Sequence, residues 1–288
     1  MKIIIVGHTS MVGKRLEEAL IKKHEIITCG RDERSDIYID LSETHLDSLR
    51  DNRLLENVDV IVHCAASFLG NTAEEAITNE IINSVGSLKI GLLAQKVKCK
   101  QVIYISSISA YDNVDNEYFG SYGLSKKHGQ ENLKLICNEL GIRYTALLPS
   151  QIYDEKGLAQ KHQKLFYHFI NCAYHGNDIN IFGENDAVRN YLYIGDLIEI
   201  VVKVVEDKIV GEYPCIYPQS YKLSEIAKFA FEVFGSGGLL KFLKDKPSIP
   251  DIFIPNDIEL YKQIHYTPQT DMRTGMTLIK KNLQIGGV

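Results

Sequence analysis

Short apolar runs alternate with longer amphipathic stretches through the first half of the chain, and this alternation limits the fold more than any other feature. The runs are Lys2–Val6, Glu25–Cys29, Val58–His63, Gln101–Ser106 and Arg143–Leu148. They are brief and mostly apolar along their length, as strands covered on both faces must be. Between them, Val12–Lys23 places Val12, Leu16, Ala19 and Leu20 at helical spacing. Ala73–Val97 carries Ile77, Ile81, Val85, Leu88 and Leu92 on one helical face, and Ser121–Leu140 reads as a long helix. Strands separated by helices imply βαβ units with right-handed crossovers, so the expected fold is α/β, a doubly wound parallel sheet.

After Pro149 the alternation breaks down. Leu158–Ala173, Asp196–Val205 and Ser224–Phe234 read as helices, Asn180–Gly183 as a short strand and turn, and Glu212–Ile216 as a strand. Gly235–Ile254, rich in Gly, Lys and Pro, has no clear period. The expected division is a main domain from residues 1–160 and 187–218, with Arg189–Ile216 returning to the sheet, and a small α+β lobe from 161–186 and 219–288.

At about 100–200 residues per domain, the length of 288 residues suits that division. The 32 basic residues against 37 acidic, net −5, argue against nucleic acid as a partner and leave no polybasic membrane patch. Met1-Lys2 runs straight into Ile3–Val6 and Gly7, too short for a signal-peptide core or a bilayer span, so a cytoplasmic location is expected. The cysteines at 29, 64, 99, 137, 172 and 215 form no CxxC and read as scattered buried thiols. No HExxH or paired-histidine spacing occurs, so no metal site is expected.

Two local motifs carry chemistry. The first run is followed by Gly7-His8-Thr9-Ser10-Met11-Val12-Gly13 and then a helix. Strand, glycine turn and helix N-terminus cradle a dinucleotide pyrophosphate, with backbone N–H groups and the helix dipole facing the phosphates. Gly7 suits the tight turn and Gly13 the close helix–strand packing. Ser10 occupies the middle position, where its hydroxyl is expected to bond a phosphate. The second run ends Cys29-Gly30-Arg31-Asp32. Gly30 leaves room and Arg31 offers a planar fork to a 2′-phosphate, which favours NADP(H) over NAD(H). Asp32 is the alternative, as an acceptor for the ribose of NAD.

The second motif is Tyr122-Gly123-Leu124-Ser125-Lys126 at the start of the long helix. Residues four apart share a helix face. A free phenol has a pKa of about 10, and a nearby ammonium is expected to lower it toward useful acid–base range. Upstream, Ser106 and Ser107 close the fourth strand, and a serine there can hold the same substrate oxygen.

As an ordered set, these motifs resemble the extended short-chain dehydrogenase/reductases, the nucleotide-sugar epimerase, dehydratase and reductase group. The resemblance runs through Gly7–Gly13, Asp40-Leu41, His63-Cys64-Ala65-Ala66-Ser67, Asn83–Ser87, Ser106-Ser107, Tyr122–Lys126, Pro149–Tyr153 and Arg189–Asp196. It implies a Rossmann-type domain for the cofactor and a C-terminal lobe for the substrate. It further implies Ser107, Tyr122 and Lys126 as catalytic residues. Cofactor contacts would come from Gly7, Thr9, Ser10, Met11, Val12, Gly13, Arg31, Asp40 and Leu41. Others would come from Cys64, Ala65, Ala66, Asn83, Ser106, Tyr122, Lys126, Pro149, Gln151 and Ile152. Ser67, Ser107 and Arg189 would meet the substrate, Arg189 having a structural role as its alternative. The Ala73–Val97 and Ser121–Leu140 helices resemble the pair that makes a homodimer interface in this group.

Ile108 and Ser109 follow Ser107 where a dehydratase needs an acid–base pair, which places dehydration low. The expected activity is 4-keto reduction of a nucleotide-linked sugar. The alternatives are a nucleotide-sugar 4-epimerase with retained NAD, and a non-catalytic dinucleotide sensor on the same fold.

Overall fold

The computed structural model describes residues 1–43, 50–51, 56–111, 120–235 and 237–286. The first elements in chain order are β1 (Lys2–Val6), α1 (Met11–Leu20), β2 (Glu25–Gly30), β3 (Ile37–Tyr38), β4 (Arg50–Asp51) and β5 (Val60–His63). Then α2 (Ala73–Asn79) runs through a π-helical stretch, Glu80–Val85, into α3 (Gly86–Lys96). β6 (Gln101–Ile105), α4 (Ser121–Glu139), β7 (Arg143–Pro149), β8 (Gln151–Tyr153) and α5 (Lys164–His175) follow. The remainder is β9 (Ile179–Phe182), β10 (Val188–Arg189), β11 (Tyr191–Tyr193), α6 (Ile194–Asp207), β12 (Gly211–Cys215), β13 (Tyr221–Lys222) and α7 (Leu223–Phe234). It closes with β14 (Leu240–Leu243), α8 (Glu259–Gln263) and α9 (Met272–Gly286).

One unit comprises Met1–Pro149, Ile198–Cys215 and Pro255–Tyr266. Its sheet has the order β12-β7-β6-β5-β1-β2-β3-β4, all parallel except β4, which runs antiparallel to β3. The order reverses at β1, between β5 and β2, and such a switch point is where doubly wound sheets bind ligands. Ile3, Ile4 and Ile5 are fully buried at its centre. Register pairs Val6 with His63 and His63 with Tyr104, so the loops after β1, β5 and β6 leave from one edge.

The stripe Ile77, Val85, Leu88 and Leu92 does not face the sheet: these side chains are 38–59% exposed. The inward face of the same helix carries Asn79, Asn83, Ser84 and Ser87, all buried. Periodicity finds the faces of a helix but not which one is covered.

The second unit comprises Ser150–Leu197, Ile216–Ile254 and Thr267–Val288. It holds three two-stranded sheets: β8 parallel to β11, β9 parallel to β14, and β10 antiparallel to β13. Because β8 pairs with β11 and not with the main sheet, residues 150–160 and 187–197 group with this unit, while 255–266 group with the first. β12 alone of the later strands joins the main sheet, beside β7. Its tyrosines pack: Tyr153 and Tyr191 flank Phe166, with ring centroids 4.9 and 4.7 Å away. The helix expected from Leu158 starts at Lys164 because buried Asp154 accepts from Lys156 N, Leu158 N and Ala159 N, folding that stretch into turns.

Candidate active site

The glycine loop takes the shape its residues require. Gly7 has φ +79°, and a Cβ there would lie 2.7 Å from Ala65 N. A Cβ on Gly13 would lie 2.3 Å from Gly7 O, so helix and turn meet only because Gly13 has no side chain, while the bare Gly7 lets Ala65 approach. Ser10 caps α1: its Oγ accepts from Gly13 N at 3.0 Å. The side-chain oxygen expected to meet a phosphate therefore serves the helix terminus.

Beside this loop lies a cavity of about 280 Å³. Its walls include Gly7, Thr9 and Ser10, Gly30 and Arg31, Asp40 and Leu41, and Ala65 with Ala66. Asp32 is not among them. Arg34 grips both of its carboxylate oxygens, at 3.1 and 2.9 Å, and holds its pKa well below the usual carboxylate range. Burial pushes the Asp40 carboxyl up, but hydrogen bonds from Ser42, with Arg31 and Lys89 nearby, outweigh it and hold the group low. The buried Lys89 donates to the backbone oxygens of Asp40 and Glu43, fixing this wall. A glycine-lined helix N-terminus with an arginine and a carboxylate along one cavity fits a dinucleotide.

At the ends of β5 and β6, α4 brings Tyr122 and Lys126 up one turn apart. Ser107 stands close enough to the Tyr122 phenol to draw its pKa down, and Ser107 Oγ accepts from Ser109 N at 3.1 Å. Ser106 is buried, and its Oγ meets no partner among the described residues. Lys126 Nζ donates to Ile105 O at 2.7 Å and lies 4.0 Å from the centre of the Tyr104 ring. Burial pulls the Lys126 ammonium down to about 7 and pushes the Tyr122 phenol up to about 12. The expectation of a phenol lowered by the ammonium is thus corrected: desolvation dominates, and the opposing pull comes from Ser107.

Asn83, in the π-helical stretch, ties these parts together. Its Oδ1 accepts from Ser67 N, and its Nδ2 donates to Ser67 O and to Ser125 Oγ, all at 2.8–2.9 Å. Ser125 Oγ in turn donates to Tyr122 O. Asn79 does the same one turn earlier, accepting from Ser67 Oγ and Leu69 N and donating to Ser121 Oγ. Sequence reading passed over Asn79, Ser125 and Lys89. The available signal was two asparagines four apart inside a helix, where an amide needs partners.

Cys64 follows β5, and burial pushes its thiol up to about 12, so it is no nucleophile at neutral pH. In the second unit Gln151 Nε2 donates to Gln163 Oε1 at 3.0 Å, and Ile152 is half-buried. Arg189 is buried within that unit, with Nη1 on Val188 O. Pro149 ends β7 in the first unit. Among the described residues no group of three or more His, Cys, Asp or Glu could hold a metal ion, and no helix is long and apolar enough to cross a membrane.

Residues 3–217 match the profile of the NAD dependent epimerase/dehydratase family. A putative UDP-glucose 4-epimerase of Methanocaldococcus jannaschii is 23% identical, covering 95% of this chain and 95% of its own. The dTDP-4-dehydro-6-deoxy-D-allose reductase of Streptomyces bikiniensis is 21% identical over 95% of this chain and 93% of its own. Among solved structures, UDP-glucuronic acid 4-epimerase from Bacillus cereus in complex with NAD has a TM-score of 0.77 at 19% identity, over 99% of each chain. The glycine cradle and the Tyr122–Lys126 turn therefore sit in a chain that belongs to the NAD dependent epimerase/dehydratase family, within the extended short-chain dehydrogenases and their Rossmann fold.

Proposed function

We propose that the protein is an NADP(H)-dependent 4-keto reductase of a nucleotide-linked sugar, acting through Ser107, Tyr122 and Lys126. The observation that carries this reading is the placing of Tyr122 and Lys126 one turn apart on α4, with the Lys126 ammonium on Ile105 O at the carboxyl end of β6, the strand that Ser107 follows. The bound dinucleotide supplies the hydride. Tyr122 gives its proton to the keto oxygen, and the Ser107 hydroxyl holds that oxygen in place. The phenol is protonated at neutral pH, which is the state a reduction consumes, and burial pushes its pKa further up. Asn83 and Ser125 keep Tyr122 in register with the loop after β5. Ser67 is a proposed substrate contact.

NADP(H) is favoured by Arg31 on the cavity wall, by the missing side chain at Gly30, and by Asp32 being held by Arg34. A second reading, 4-epimerisation with retained NAD, is favoured by the names of the M. jannaschii relative and the B. cereus structure. The experiment is turnover with NADPH and a panel of UDP- and dTDP-linked 4-keto-sugars and hexoses. Stoichiometric NADPH consumption is the expected result. Isomerisation without consumption would replace the reductase by the epimerase, and cofactor binding with no turnover across the panel would overturn both.

A homodimer fits the outward apolar side chains of Ile77, Val85, Leu88 and Leu92, with Leu124 and Leu135 exposed on α4. Sedimentation at micromolar concentration should give twice the mass of one chain. The six free cysteines support a cytoplasmic setting.

A further inference from the structure

Phe68 is 45% exposed, and its ring stands edge-to-face against Tyr122 with centroids 4.3 Å apart. A single exposed phenylalanine is ordinary on a protein surface. This one is set apart by how firmly its loop is held. On one side of Phe68, Asn83 bonds both the N–H and the C=O of Ser67. On the other, Asn79 bonds the N–H and the C=O of Leu69, at 3.1 and 3.3 Å. Ser121, the residue before Tyr122, donates its hydroxyl to Gly70 O and its N–H to Asn71 Oδ1. Thr72 and Glu75 then close a capping box that starts α2. The loop is thus fastened both to the π-helical stretch and to the first turn of the helix that carries the phenol.

Resting on the reading proposed above, we propose that Phe68 is the platform for the sugar ring, stacking against its apolar C–H face while the reacting oxygen meets Tyr122. A hexopyranose presents polar edges and an apolar face, and an aromatic ring attracts such C–H groups with its negative face. The two rings touch, so Phe68 stands next to the residue whose phenol would meet the reacting oxygen. Rigid fastening makes the platform effective, since little side-chain or loop order is lost when a ligand arrives.

The test is calorimetry on the NADP⁺-loaded protein with four probes: UDP-glucose, UDP, dTDP-glucose and dTDP. The quantity read is the affinity ratio of each sugar nucleotide to its bare nucleotide. In Phe68→Ala the ratio should fall about tenfold for the nucleotide series that binds, with bare-nucleotide and NADPH affinities within about twofold of the starting protein. Phe68→Trp should retain the ratio. An unchanged ratio in Phe68→Ala, or a loss that falls on NADPH or on the bare nucleotide, overturns the platform and leaves the reductase reading intact. A starting protein that binds NADPH but no sugar nucleotide overturns both.

Discussion

The Lys126 ammonium lies 4.0 Å from the centre of the Tyr104 ring while donating to the Ile105 carbonyl. Both side chains are buried. The ring therefore offsets part of the desolvation that pulls this amine down to about 7. Tyr104→Leu should destabilise the fold by about 2 kcal/mol or more, from the lost cation–π contact and the space left behind. It should also lower the Lys126 pKa further and move the basic limb of the pH–rate profile to lower pH. Tyr104→Phe keeps the ring and should stay within about 1 kcal/mol of the starting protein. Urea denaturation and the pH dependence of kcat check both variants.

His63 is fully buried beside Tyr104, and neither ring nitrogen finds a hydrogen-bond partner among the described residues. Desolvation, with Lys126 nearby, drops its pKa from 6.5 to about 3. As pH falls, the unfolded chain takes up the proton first, so stability declines between those two values and is unaffected by this group above them. The slope should approach about 1.4 kcal/mol per pH unit. His63→Leu should flatten the stability profile between pH values of about 6 and about 4. A profile as steep in the variant as in the starting protein would assign acid sensitivity elsewhere.

Arg31 lines the cavity, whereas Asp32 is tied to Arg34. Arg31→Ala should weaken NADPH by about 10- to 100-fold, the worth of a charge-assisted bond, and change NADH by less than about threefold. Fluorescence titration of the two reduced cofactors measures the ratio directly. Equal losses for both would mean that the guanidinium does not read a 2′-phosphate.

Gly129 lets α4 approach the π-helical stretch. A Cβ there would lie 2.2 Å from Asn83 O, a backbone atom that cannot rotate away. Gly129→Ala should therefore cost about 1–3 kcal/mol in spite of the better helix propensity of alanine, and should lower kcat by shifting Asn83 from Ser125. Thermal denaturation and turnover together distinguish this from a neutral helix-surface change.

Much of the site was legible because its motifs are local. Gly7 and Gly13 are six residues apart on one turn, and Tyr122 and Lys126 are four apart on one helix. Arg31 could be read because it follows the glycine that ends a strand. The capping role of the Ser10 hydroxyl went unread because a helix N-cap and a phosphate contact call for the same residue at the same place. Asn79 was missed because its partners, Leu69 and Ser121, lie 10 and 42 residues away.

The amino-acid order by itself determined the alternation of strands and helices, the glycine cradle and the one-turn spacing of phenol and amine, since each follows from steric rules acting over a few residues. The tertiary structure decided the direction of the Lys126 amine, the upward shift of the Tyr122 phenol and which face of the Ala73–Lys96 helix meets solvent. These depend on desolvation and on hydrogen bonds to distant segments. Such quantities acquire values only when the chain closes and excludes water.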